Sequence, residues 1–207
     1  MHGRELSDVQ QLTALVGVES LSLQCNAHLS DIGSLSALVA IGLRNLRLSD
    51  RTSVHDLSSL VGLHVLDLGR CWQLTDESPL SSLVSLLMLY LSECHKLTDV
   101  GGLQSLVALH TLHLSDCALS DVSPLSSLAG LHTLNLSNCR TLTDVSPLSS
   151  LVGLRSLDLS RCAQLRNVSP LSSLVGLHTL NLPPGACWHR IDVRALSVLV
   201  GLRSLAV

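Results

Sequence analysis

The chain repeats itself. The segment LSSLAGLHTLNLSNCRTLTDVSP starts at Leu125, returns at Leu148 as LSSLVGLRSLDLSRCAQLRNVSP, and begins again at Leu171 as LSSLVGLHTLNLPPG. Anchored on L-x-x-L-x-L, eight full copies start at Val18, Leu43, Leu63, Leu86, Leu109, Leu131, Leu154 and Leu177, with a shortened ninth at Leu202. The step is 22 or 23 residues from Leu63 to Leu177, while the first two intervals are about 25 and 20 and the last about 25. Nothing else in the sequence constrains the fold as much. A unit this short cannot bury its own apolar face, so stability requires neighbouring copies to stack.

Each copy has two readable halves. In LHTLNLSNC, alternation puts Leu134 and Leu136 on one face and Thr133 and Asn135 on the other, the period of a strand. Parallel strands need a crossover, and RTLTDVSPLSSLVG supplies one. Ser146-Pro147 reads as an N-cap with Pro at the first helical position. Leu148, Leu151 and Leu154 then recur every third residue, which suits a short 3₁₀ or α turn with one inward edge. Copies stacked ~4.8 Å apart build one linear core.

Composition closes off several alternatives. Hydrophobic residues are 46% of the 207 and charged residues 14%, which is incompatible with intrinsic disorder. Leu alone is about a quarter of the chain, and there is no Phe, so the core is leucine. Apolar runs are too short for a membrane span, and MHGRELSDVQQ has no secretory apolar stretch. A net charge of -3 gives no general pull toward nucleic acid or anionic lipid.

On its eight L-x-x-L-x-L cores, five followed by x-x-C, the chain resembles leucine-rich repeat proteins. The D-V-S-P-L return segments are similar to the short class of phosphatase-regulatory repeats and bacterial internalins, and the L-S-x-C variant resembles kinetoplastid repeat proteins. The resemblance implies an α/β solenoid. A curved parallel sheet would line its concave face, with short 3₁₀ or α turns and loops on the convex face, as a single domain over residues 1–207. It also implies a non-enzymatic scaffold that binds a protein through the concave sheet. The phosphatase-regulatory likeness suggests a phosphatase catalytic subunit as partner; the internalin likeness suggests a host receptor and secretion. The alternative is a recognition module of a larger protein such as a ubiquitin ligase, a nuclear or phosphatase regulator, or a parasite surface or effector protein.

Five of the seven cysteines share one repeat position: Cys71, Cys94, Cys117, Cys139 and Cys162. A column of buried free thiols fits best. Neighbours fall within disulfide range, but parallel Cβ vectors disfavour bridging. A metal site needs converging ligands, usually from C-x-x-C pairs, and the chain has none. Buried unpaired thiols suit a reducing compartment, hence an intracellular setting. Cys25 and Cys187 fall off the column and read as the exposed, reactive thiols.

Stacking would align two outward columns. One reads Ser22, Arg47, Asp67, Tyr90, His113, Asn135, Asp158, Asn181 and Ala206; the other is mostly small and polar, with Val65 and Met88 as exceptions. Such variation suits a surface free of packing duty and a recognition surface alike. Met88 and Tyr90 fall together near the middle, flanked by Asp67, Arg70, Glu93 and His113. An aromatic and a Met ringed by charge is the make-up of an interface centre, although a lone aromatic on a sheet needs no special role. The expected partner surface is therefore Arg47, Asp67, Arg70, Met88, Tyr90, Glu93, His113, Asn135, Asp158 and Asn181.

His64, His110, His132 and His178 share the position after the first repeat Leu, where other copies have Arg44, Arg155 and Arg203. They read as solvated rim residues, the alternative being an adventitious metal site of His110, His113 and His132. No catalytic motif, cofactor site or metal site is apparent, so no enzyme, cofactor, nucleic-acid or membrane partner is expected. Asp99, Asp121 and Asp144 read as turn formers. The sequons at Asn135 and Asn167 read as chance matches, and the Ser-Pro pairs as helix starts. ELSDVQQLTALVGV, with Leu6, Val9, Leu12 and Leu15, matches the return half of a repeat, and GLRSLAV stops within a strand. Uncapped ends would suit either a longer solenoid or self-association, with Trp188 as a partial lid.

Overall fold

The computed structural model describes residues 12, 17–24, 32–50, 57–75, 78–183 and 193–206. Cys25, Cys187, Trp188, Leu6, Val9 and Leu15 lie outside them. The described residues form one sheet of nine parallel strands ordered as in the chain. The strands are β1 (Ser20–Ser22), β2 (Asn45–Arg47), β3 (Val65–Asp67), β4 (Met88–Tyr90), β5 (Thr111–His113), β6 (Thr133–Asn135), β7 (Ser156–Asp158), β8 (Thr179–Asn181) and β9 (Ser204–Ala206). Between them run 3₁₀ turns, for example Ser123–Ser127, Ser146–Ser150 and Ser169–Ser173, and one α-helix, α1 (Ser36–Ala40). This is the expected leucine-rich repeat solenoid.

Each strand is only three residues long and pairs in register with the next. Leu21, Leu46, Leu66, Leu89, Leu112, Leu134, Leu157, Leu180 and Leu205 form one continuous row. Behind it lies the core. In the copy beginning at Leu131, the side chains of Leu131, Leu134, Leu136, Cys139, Leu142, Val145, Leu148 and Leu151 are buried, and the neighbouring copies repeat the set. Leu fills every layer because an unbranched Cβ and a forked end pack equally well from a strand, a loop or a 3₁₀ turn.

Polar ladders lock the stack. The Ser that ends the 3₁₀ turn donates to the preceding repeat, for example Ser105 Oγ to Ser81 O (2.8 Å), Ser127 Oγ to Gln104 O (2.9 Å), Ser150 Oγ to Ser126 O (3.0 Å) and Ser173 Oγ to Ser149 O (2.8 Å). These bonds satisfy convex carbonyls that a 3₁₀ turn leaves without an internal partner.

The turn cap is displaced from its expected place. Ser146 is the first residue of its 3₁₀ turn, with Val145 before it and no side-chain cap from Val145. Val145 is fully buried, so the capping group moves one residue back to outward-facing Asp144, whose Oδ1 accepts the Ser146 N–H at 2.8 Å. Asp121 accepts from Ser123 N (2.7 Å), Asp99 from Gly101 N (2.9 Å) and Asn167 from Ser169 N (2.9 Å). Bonds from Ser123 and Ser146 hold the Asp121 and Asp144 carboxyls below the usual range. The reading of these acids as turn formers is therefore correct.

Layer position should govern the cost of losing a leucine. Leu112 is fully buried between two strands, whereas Leu205 on β9 is 46% exposed. Leu112→Ala is expected to cost ~2–5 kcal/mol in urea unfolding, and Leu205→Ala under ~1.5 kcal/mol. Equal losses would contradict this layering.

Candidate functional site

Pairing places the two outward columns side by side on the open face of the sheet, in the order read from sequence. Asp67 lies opposite Tyr90, and Tyr90 opposite His113. The rings of Tyr90 and His113 are 4.9 Å apart and tilted by 54°. The Tyr90 hydroxyl lies 3.8 Å from Met88 Sδ, and Met88 is 39% exposed. Burial lowers the His113 pKa, with Asp158 acting the other way. Met88, Tyr90 and His113 thus form one ledge, aromatic and thioether in character, near the middle of the sheet. Beside it, over β1–β3, opens a hollow of about 430 Å³ lined by Ser20, Ser22, Asn45, Arg47 and Val65. Ser20 and Asn45 stand in the Met88 column there and Ser22 in the Tyr90 column, and Leu21 and Leu46 also line the hollow.

The remaining expected residues divide into local clusters. Arg47 Nε reaches Asp67 at 3.9 Å. Asn181 donates to Asp158 at 3.0 Å, well along the sheet from Tyr90. Three members of the variable column also have a structural duty: Asp67 Oδ1 accepts Gly69 N–H (2.9 Å), Asn135 Oδ1 accepts Ser137 N–H (2.8 Å) and Asp158 Oδ1 accepts Ser160 N–H (2.8 Å). These Asx turns steer the chain off the strand.

Arg70 and Glu93 belong to a further column that the linear pattern did not reveal. Asp50, Arg70, Glu93, Asp116, Asn138 and Arg161 all have φ between 60° and 64°. The left-handed residue swings the chain so that the next side chain points into the core, where the cysteines lie. Arg70 lies 3.1 Å from Glu93 and 3.5 Å from Asp50, and hydrogen bonding to Glu93 raises its pKa. The Asn138 amide donates to Asp116 and accepts Arg140 Nε–H at 3.0 Å. Here the Leu109 copy takes the 22-residue step, with Ala118 alone where the next copy has Arg140 and Thr141. The missing residue opens a cleft of about 360 Å³ lined by His95, Asp116, Ala118, Asn138, Arg140 and Thr141. The irregular step was its only sequence signal.

The thiols are built into the stack. Cys94, Cys117, Cys139 and Cys162 donate to the carbonyls of Leu68, Leu91, Leu114 and Leu136 at 3.1–3.3 Å, and Cys71 to Leu48 at 3.6 Å. Each accepting carbonyl belongs to the preceding repeat. The five cysteines are free and buried. Desolvation pushes Cys94, Cys139 and Cys162 up to about 12, and Cys117 higher still. Such thiols are poor nucleophiles and poor metal ligands.

At the upstream rim, the His110 and His132 rings stack 5.1 Å apart. His113 is turned away toward Tyr90, and the described residues hold no group of three potential metal ligands. His64 and His110 are exposed, but His132 and His178 are half-buried, each with an Nδ1 that is buried and without a hydrogen-bond partner. The solvated-rim expectation therefore fits only the first two; the latter pair are partly withdrawn from solvent at Nδ1.

Residues 107–150 match a sequence profile described as Leucine Rich repeats (2 copies). Among solved structures, internalin C2 of Listeria monocytogenes is 27% identical, with a TM-score of 0.77 over 92% of this chain and 80% of that one. A leucine-rich repeat protein of Leptospira interrogans is 19% identical at a TM-score of 0.76, covering 95% of this chain and 50% of the other. A chain of the mouse RP105/MD-1 complex is 19% identical at 0.64, covering 94% and 39%. No curated protein sequence matches significantly. Residues 107–150 thus carry the leucine-rich repeat signature, and the described residues have the leucine-rich repeat fold, which generally serves protein–protein interaction. Among the described residues, no helix is long and apolar enough to cross a membrane.

Two outcomes follow from the turn geometry. Asn tolerates the left-handed region far better than Arg, so Arg161→Asn is expected to raise stability by ~0.5–1 kcal/mol, seen as a rise in Tm of a few degrees; a fall would count against it. The buried thiols give the second. The unfolded state ionises near pH 9.0, while the folded thiols stay protonated to about 12. Their stabilising contribution is complete below pH 9 and is lost as pH rises toward 12. Urea titrations at pH 8 and 10.5 should show a larger loss in wild type than in a Cys94→Ala/Cys139→Ala/Cys162→Ala chain.

Proposed function

We propose that the chain is a non-enzymatic scaffold that binds a protein partner through the open face of its sheet, with the Met88–Tyr90–His113 ledge as the energetic centre. The observation that carries this reading is the juxtaposition of that ledge with the hollow over β1–β3. A protruding side chain can fill the hollow while an apolar residue packs on the ledge. Arg47, Asp67, Arg70 and Glu93 then form a charged border that fixes register, and Asn135, Asp158 and Asn181 extend the contact along the sheet. Rigid backbone pairing from β1 to β9 favours this mode, since little ordering remains to be done on binding. The similar chain of the mouse RP105/MD-1 complex gives a precedent for a partnered chain of this fold.

We read residues 1–207 as one domain, able to act alone or as the recognition module of a larger protein. The buried free-thiol column supports a reducing, intracellular compartment.

The test is affinity capture with the wild-type chain, followed by titration of the purified partner against wild type and a Met88→Ala/Tyr90→Ala chain. Truncating one hot-spot residue costs about 2 kcal/mol or more, so the double variant should bind at least ~100-fold more weakly with an unchanged melting curve. Equal affinity would remove the ledge from the interface.

A further inference from the structure

A second surface runs along the upstream flank, where each repeat turns from its convex side into its strand. The turn is Val-Gly in half of the eight copies from Ile41 to Val200. Val61, Val84, Val107, Val152, Val175 and Val200 occupy it one above another, each more than half exposed. Ile41 begins this row, and Ala129 is its one small member. Eight consecutive aliphatic positions in solvent are not the scattered apolar residues of an ordinary surface; a contiguous stripe marks a contact region. Parallel to it, three residues on in sequence, runs the rim that holds Arg44, Arg155, Arg203 and the four histidines. Among the described residues, no carboxylate pairs with any of them: the ion pairs lie on the sheet or beyond the strand ends, at Arg47, Arg70, Asp50, Asp67 and Glu93. Arg44 Nη1 donates only to the backbone carbonyls of Val39 and Leu43. Glu19 alone supplies an acid to this rim, at its first position. Between the two rows stand small residues, including Gly62, Gly130, Gly153 and Gly176.

We infer that this flank docks an acidic amphipathic segment of another protein, its aliphatic edge on the valines and its carboxylates on the Arg/His rim. Charge and shape both select this occupant. Seven steps of ~4.8 Å give an apolar row of ~34 Å, the length of a helix of ~22 residues. A second copy of this chain would bring an equally basic rim against the first. A lipid surface is disfavoured by chemistry, because neither row contains Lys, Trp, Tyr or Phe and the rim has only three permanent positive charges. Arg guanidinium groups are suited to carboxylates through bidentate pairing.

The probe is a fluorescein-labelled helix of about 22 residues with leucine along one edge and glutamate beside it. Its Glu→Gln counterpart and phosphatidylserine/phosphatidylcholine vesicles are parallel arms. The acidic peptide should bind at least tenfold more tightly than the Gln peptide. That binding should fall at least tenfold in Val107→Asp/Val152→Asp and in Arg155→Glu, and about half as many decades in Val107→Thr/Val152→Thr, which keeps the side-chain shape. Met88→Ala/Tyr90→Ala should leave it unchanged, so its outcome is separate from that of the open-face reading. Equal binding of both peptides, no binding of either, or capture of vesicles in place of the acidic peptide would each overturn the inference.

Discussion

In-register stacking of three-residue strands is the constraint on which the molecule depends. A strand so short gains almost nothing alone, and a single copy cannot enclose its own leucines. Both deficits are met by the neighbouring copy, which supplies backbone partners on one side and apolar surface on the next layer. The result is a core one leucine thick in the stacking direction, extended along the chain. Residues in the middle layers are therefore buried by two neighbours, and those in the outer layers by one. That is why Leu112 is fully buried and Leu205 half-exposed although they occupy equivalent repeat positions.

Stacking the copies this closely leaves a row of carbonyl acceptors at each level, exposed on the convex side and buried behind the strand exit. The chain meets them with short donors repeated at fixed places. Serine hydroxyls serve the convex side, backbone N–H groups run between strands, and thiols reach the carbonyls at the strand exit. The cysteine column is both apolar filling and inter-repeat donor. Its protonated state is part of the structure, since an ionised thiol in that layer would lose its donor and remain desolvated. The left-handed residue before each thiol has a related duty, converting an outward strand end into an inward side chain. Nature has accepted Arg and Glu there in three copies, although Asp and Asn suit the conformation better.

With the backbone so tightly prescribed, surface identity is the only freedom each copy retains. The open sheet uses it for a ledge and a hollow, and the upstream flank for an aliphatic row beside a basic one. Even there the freedom is partial. Asp67, Asn135 and Asp158 vary among copies, yet each accepts a backbone N–H that shapes the following turn. Recognition and folding share the same carboxylate or amide, which limits how far that column can diverge.

Periodicity alone determined the architecture: the L-x-x-L-x-L cores, the strand alternation and the three-residue leucine spacing specify parallel stacking, because no other arrangement buries every copy in the same way. The same pattern identified the outward columns, the buried thiols and the pairing of Met88 with Tyr90. What it did not determine were features set by contacts between copies. The shift of the turn cap to Asp144 arises because Val145 is claimed by the core. The half-burial of His132 and His178, against the exposure of His64 and His110 at the same repeat position, is a property of the stacked copies. The hollow over β1–β3 and the cleft at the shortened Leu109 copy exist only as differences between adjacent layers. A sequence lists each repeat once and in line; the tertiary structure decides which side chains of different repeats share solvent, and it is that sharing that makes a surface.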